Sequence, residues 1–218
     1  MNKTWIVVAS VAAVVAAFIA GAVVFKGREK LEVTQAAQTN SDALVRANSP
    51  VFGNPAAKVT IVEFFDPACE ACRAFYPIVK TMVNSSFGQV RLVVRHAPLH
   101  QGSDTAVKIL EAARLQGQYW PAVERVLAGQ PQWAAHGNAR PELIWDLIAD
   151  LGLDMAKVRS DADSPAVAQL LAQDIADMRA LKVDRTPGFF VNGTPLRDFG
   201  QAQLRALVDQ EIRKVKAP

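Results

Sequence analysis

Two cysteines, and only two, stand in this chain of 218 residues, separated by Glu70 and Ala71. Their position constrains the fold more than their number does. The apolar run Val-Thr-Ile-Val-Glu-Phe-Phe (residues 59–65) precedes them without helical spacing, as expected of a strand covered on both faces. Asp66-Pro67 ends that strand, because the proline ring removes a ladder donor and restrains the residue before it. From Cys69 onward the period is helical, with Phe75, Ile78, Val79, Met82 and Val83 on one face. Cys69 therefore falls in the first turn of a helix and Cys72 one turn further in, where unpaired amides and the helix dipole favour a thiolate. Thiol–disulfide exchange needs this layout: an exposed, low-pKa thiolate at the helix tip attacks a disulfide, and a neighbour three residues on resolves the mixed disulfide.

Two flanking residues sharpen the pattern. Glu63 lies in the middle of the apolar strand, where a carboxylate is costly to bury and is held protonated or used to relay protons. Pro77 lies inside the helix, where it should kink the axis. With an acidic residue on the strand, C-x-x-C at the helix start and a proline in the next turn, the chain resembles the thioredoxin superfamily. The wider match, from Gly53-Asn-Pro-Ala-Ala-Lys-Val-Thr-Ile-Val-Glu-Phe to Thr186-Pro-Gly-Phe-Phe-Val-Asn-Gly, is similar to the DsbA-like branch of periplasmic thiol:disulfide oxidoreductases and covers residues 50–216.

The resemblance implies an α/β thioredoxin fold with an inserted helical domain. It implies Cys69 as nucleophile, Cys72 as resolving thiol and Glu63 as buried proton relay. In the family the loop proline ahead of the late strand is cis and faces the cysteines; carried onto this sequence it is Pro187, with Thr186 before it, together forming a strap for an extended substrate segment. Lacking an N–H, Pro187 would leave the backbone of Thr186 to pair by strand addition. The dithiol itself is the redox centre, with no further cofactor and no metal. Implied partners are extracytoplasmic proteins with thiols or disulfides, and a membrane redox partner that resets the pair. The strong oxidants of the family carry Pro-His between the cysteines, whereas this chain has Glu70-Ala71. A carboxylate beside Cys69 opposes its ionisation, and Arg73 offsets part of that, so a less oxidising couple is expected. A reductase or isomerase role is the alternative within the class.

Other chemistries of a C-x-x-C fit less well. Structural zinc wants about four ligands, and only His96, His100 and His136 accompany the cysteines, none as a second paired motif. His96 and His100 read as loop residues, with a charge partnership to the cysteine site as the other option. An inert disulfide closing so small a loop would add little. A thioredoxin-fold module holding Cu(I) on soft thiolates is the rival from another class, but no Met-rich or His-rich stretch accompanies the pair.

The N-terminus carries a second strong signal. Residues 5–25 are apolar or small, with Ser10 the only polar one, between Lys3 and the group Lys26, Arg28 and Lys30. That length matches the ~20 residues that cross a bilayer. The run continues through Val23-Val24-Phe25 beyond the cleavage candidate Ala20-Gly21-Ala22, so residues 1–27 read as an uncleaved transmembrane signal anchor. Residues 28–50 read as a tether, and 51–218 as the DsbA-like domain. The positive-inside count alone would leave that domain in the cytoplasm. The resemblance, together with the need of a two-cysteine redox site for an oxidising compartment, sets the expectation at the periplasm, anchored in the inner membrane. The net charge is only +3 and no aromatic-interleaved basic stripe exists, which argues against nucleic acid.

Further along, residues 90–95 read as the next strand of a β–α–β crossover with parallel neighbours. Residues 103–182 are helical throughout and form the insertion, with Trp120, Trp133 and Trp145 in its core. Gly188-Phe-Phe-Val191 reads as a strand, Asn192-Gly193 as a type I′ turn, and residues 200–215 as the closing amphipathic helix.

Overall fold

The computed structural model describes residues 3–135 and 138–216, with the backbone alone for residues 3–10, 26, 29 and 30. His136 therefore lies outside the described residues. Five strands form one sheet: β1 (Val51–Gly53), β2 (Val59–Phe65), β3 (Val90–His96), β4 (Gly188–Val191) and β5 (Thr194–Pro195), in the order β1-β3-β2-β4-β5. β2 and β3 are parallel, joined through helix α2 (Glu70–Asn84), while β1, β4 and β5 each pair antiparallel with their neighbours. Asn192 and Gly193 both take positive φ between β4 and β5, the conformation a type I′ turn requires. β1 is an addition to the sequence reading, in which Gly53-Asn-Pro55 stood for turn chemistry alone. A three-residue edge strand is too short to carry a period.

Helices α3 (Ser103–Leu115), α4 (Tyr119–Ala128), α5 (Gln130–Trp133), α6 (Ile144–Leu147), α7 (Met155–Ala162) and α8 (Pro165–Ala180) make the insertion between β3 and β4. Trp133 is fully buried, whereas Trp120 and Trp145 are only partly so. Helix α9 (Gln201–Lys216) closes the domain.

β2 is covered on both faces, so its alternation sorts side chains between two cores rather than between core and water. Ile61 and Phe65 pack under α2, α3 and α9, while Val62 and Phe64 join Val93, Phe190, Met178 and Leu181 behind the sheet. Glu63 shares the parity of Ile61 and Phe65, which points it beneath α2.

The segment expected as a tether is a tether only in part. Helix α1 (Lys3–Thr39) runs on without a break, and Ala37, Ala43 and Leu44 are buried in the core behind the sheet. Alanines let a helix approach a sheet closely, and the ion pairs Glu32–Lys182 and Arg46–Asp177 flank the contact. So few apolar positions had the pattern of a linker. Upstream, the side chains of Val14, Phe18, Val23 and Phe25 stand 56–78% exposed together with Val24. Among the described residues no helix is long and apolar enough to cross a membrane. The side chains at positions 5–10 of the expected span lie outside the described residues.

Candidate functional site

The turn from β2 into α2 brings the sequence-predicted residues together. Cys69 is the N-cap of α2 rather than a residue of its first turn, with extended backbone, and Cys72 lies inside the first turn. Pro77 sits within α2, and because it lacks an N–H the carbonyl of Arg73 loses its helical donor. Both cysteines are free thiols. Cys69 is 6% exposed and Cys72 not at all, so the tip thiol is less open than the sequence suggested, yet the asymmetry between the two holds.

The Cys69 thiol donates to the carbonyl oxygen of Thr186 at 3.3 Å, across 117 positions of chain. The Thr186–Pro187 bond is cis. While Cys69 is a thiol, Thr186 Oγ1 is buried without a partner. Ionisation reverses the need, because a thiolate accepts where the thiol donated. Hydrogen bonding from the Cys72 thiol, first of all, draws the Cys69 pKa down to about 5; burial opposes this, and Thr186 and the amides of Cys72 and Ala71 assist. Burial pushes the Cys72 thiol well above its ordinary value, reinforced by its bond to Cys69 and by the charges of Glu63 and Cys69. The amide of Asp66 lies 3.5 Å from the Cys72 sulfur.

Glu63 lies beneath this pair, 1% exposed, with Oε1 unpartnered. Burial first, and then the charge on Cys69, raise its carboxyl to about 8. It is thus a proton-bearing acid at neutral pH in contact with the electrostatics of both sulfurs.

Two residues that sequence reasoning passed over join the site, Asp66 and Gln130. Asp66, fully buried at the end of β2, takes the amides of Ala68, Leu99 and His100 at 2.7–2.9 Å, the Ser103 hydroxyl, and the His100 ring Nδ1 at 2.7 Å. It staples the β2–α2 turn to the loop after β3. Gln130, from the insertion, donates through Nε2 to the carbonyls of Pro67 (2.8 Å) and Cys69 (3.0 Å), and its Oε1 is buried without a partner. The only sequence cue was an amide directly before Pro131 and near Trp133. His100 lies in the loop as expected, but turned toward the cysteine helix. His96, in contrast, is no loop residue. It ends β3 fully buried, its ring between Asp174 Oδ2 (2.8 Å) and the Tyr119 hydroxyl (3.0 Å). Among the described residues no cluster of three or more His, Cys, Asp or Glu groups is placed to hold a metal ion.

A chemistry follows from this set: one sulfur ionised at neutral pH and in contact with a backbone strap, one covered sulfur held as a thiol, and a protonated acid beneath. Comparisons with known proteins agree with it. The family model described as thioredoxin matches residues 46–210. A thioredoxin-like oxidoreductase from Silicibacter pomeroyi is 35% identical, with a TM-score of 0.69 over 82% of this chain and 99% of that one. A Na(+)/H(+) antiporter NhaA of Herminiimonas arsenicoxydans is 35% identical over 159 residues, 72% of this chain and 24% of that protein. The chain thus spans about a quarter of the length of that curated relative. A putative protein-disulfide oxidoreductase of Rickettsia typhi is 25% identical over 76% of this chain and 62% of its own. Solved DsbA-like proteins share the fold. The chain belongs to the thioredoxin family.

Proposed function

We propose that this chain is a membrane-anchored oxidoreductase that exchanges disulfides with extracytoplasmic proteins on the periplasmic side of a bacterial inner membrane, through Cys69 and Cys72. The observation that carries the assignment of roles is the asymmetry of the pair: Cys69 touches the Thr186 strap, while Cys72 is sealed beneath it. The apolar run of residues 5–25 and the exposed Val, Ile and Phe side chains on α1 support the anchor, since so long an apolar surface is costly in water.

In the oxidising direction, a substrate thiolate attacks Cys69 Sγ of the Cys69–Cys72 disulfide, and Cys72 leaves as a thiolate. Cys72 takes a proton from Glu63, whose raised pKa makes it a donor to a sulfur that burial keeps protonated. A second substrate thiolate then attacks the substrate sulfur of the mixed disulfide, and Cys69 leaves as a stable thiolate. The substrate loses two electrons and the pair gains them; a membrane redox partner removes them again. Thr186 and Pro187 dock the substrate segment, with the Thr186 carbonyl released from Cys69 once the thiol has ionised.

Trapping tests the roles. Cys72→Ser should accumulate mixed disulfides through Cys69, and Cys69→Ser none, with iodoacetamide at neutral pH labelling Cys69 first in the reduced protein. Faster labelling of Cys72 would reverse the assignment. Alkylation gel shift of the pair in intact cells reads the direction: a wholly reduced pair would overturn the oxidising role and favour the reductase or isomerase alternative.

A further inference from the structure

Helix α2 carries no cation between its cysteines, yet a histidine of the loop after β3 stands across from it. His100 is anchored by a buried carboxylate: Asp66 Oδ2 accepts both its amide (2.9 Å) and its Nδ1 (2.7 Å). That bond fixes Nδ1–H as donor and turns the Nε2 edge away from Asp66. The side chain, 50% exposed, lines one surface depression with Cys69, Glu70 and Ala71, walled on the insertion side by Ala134 and Ala139. The charged and titratable groups of that depression, among the described residues, are His100, Cys69 and Glu70, with Asp66 behind.

We propose that His100, held by Asp66, is the positioning residue that supplies positive charge to the Cys69 thiolate and so sets the redox poise of the pair. The loop after β3 thereby does what a histidine inside the C-x-x-C would do, and Glu70 opposes it from the helix. Burial alone would lower the His100 pKa, but the hydrogen bond and the charge of Asp66 outweigh it, and the charge on Cys69 adds to them, so the net direction is upward. A cation stabilises the thiolate, hence the reduced state, and makes the disulfide more oxidising. Because the coupling is reciprocal, the Cys69 thiolate must favour His100 protonation by the same amount.

The test uses the full chain in detergent. In His100→Gln, whose amide still reaches Asp66, the thiolate titration followed at 240 nm should move up by about 0.5–1 pH unit, the size of a half-screened ion interaction. Equilibration with glutathione should shift about three- to tenfold toward the disulfide form, and His100→Lys should restore most of the change. NMR titration of the unmutated protein keeps the idea falsifiable should the variants not fold: His100 must titrate at higher pH in the reduced than in the oxidised protein. Equal His100 midpoints in the two redox states, or a His100→Gln variant whose Cys69 titration and glutathione equilibrium match the parent, would overturn the proposal and leave His100 a structural partner of Asp66.

Discussion

The two faces of the central sheet bury charge in opposite ways. Behind the sheet, Arg95 is fully buried and its guanidinium meets Asp174 at 2.7 and 2.9 Å, Asp177 at 2.6 Å and the carbonyl of Ala43. Arg46 closes the cluster on Asp177, and Asp174 also takes the amide and ring of His96. Beneath α2, Glu63 is buried as deeply, on the neighbouring strand and the opposite face, with Oε1 meeting no donor. A satisfied cluster fixes a structure; an unsatisfied acid next to two sulfurs is a group whose protonation is free to change. The cores are built alike, and the difference lies in which polar atoms are left unmet.

The harshest way to break the comparison is Arg95→Met. It strands two buried carboxylates and should cost about 3–5 kcal/mol in urea unfolding. The thiol titration of the folded fraction should not move. A loss below about 1 kcal/mol would mean the cluster is no keystone. The two faces should also differ in the sign of their pH dependence. For Asp174 burial alone would raise the pKa, but the hydrogen bond and charge of His96 and the charge of Arg95 outweigh it, and its carboxyl is lowered. Its contribution to stability is present above the ordinary carboxyl pKa of about 3.9 and is lost as pH falls through the lowered value.

Glu63 runs the other way. Its carboxyl is raised to about 8, so its contribution is complete below the unfolded value of about 4.3 and is lost as pH rises toward 8. Glu63→Gln should remove that slope and gain about 2–3 kcal/mol at pH 8. The same variant should slow exchange about tenfold or more, chiefly at the step where Cys72 gains or loses its proton. Unchanged rates between about pH 6 and 8, a span that covers the raised carboxyl, would reduce Glu63 to a structural residue.

Gln130→Ala comes next in size. It leaves the Pro67 and Cys69 carbonyls without the donor from the insertion, at about 1–2 kcal/mol. If the insertion also holds the helix tip in place, alkylation of Cys69 should speed up as the tip loosens. An unchanged alkylation rate would confine Gln130 to stability.

Most of the sheet was legible because β2 and β3 are continuous apolar runs with breakers at their ends, and α2 and α9 keep a clean helical period. Cys69, Cys72 and Glu63 were legible for a related reason: each breaks its local pattern, as thiols at a helix start and a carboxylate in an apolar strand. Asp66, His100 and Gln130 break none. An Asp before Pro reads as a turn, a His in a loop leaves open whether it faces solvent or the cysteine site, and a Gln before Pro reads as a helix start, so which of them meet at the helix tip is decided only once the chain is folded. His96 and Arg95 look like the polar end of a strand, and only the distant Asp174 and Asp177 turn them into core. Residues 33–44 dock on so few apolar contacts that no periodicity announces them.

The finest test of the unsatisfied face is Thr186→Val. The exchange is close to isosteric and removes only the hydroxyl whose oxygen is buried and unpartnered beside the Cys69 thiol. If that hydroxyl turns to donate once the thiol ionises, its loss should raise the Cys69 midpoint from about 5 by roughly half a pH unit, the effect of one hydrogen bond shared with other donors. The reduced state is then less stable at neutral pH, and the potential should move by about 15 mV toward more reducing values, from a two-electron slope near 30 mV per tenfold. The parent itself should lie near −180 to −230 mV, roughly the isomerase and glutaredoxin range, since a thiolate at about 5 falls between the ~7 of a reductase and the ~3.5 of the strongest oxidant. Glutathione equilibration reads both values at once. A parent near about −120 mV would place the pair with the strongest oxidants, and a Thr186→Val potential indistinguishable from the parent would show that the strap acts on Cys69 through its carbonyl alone.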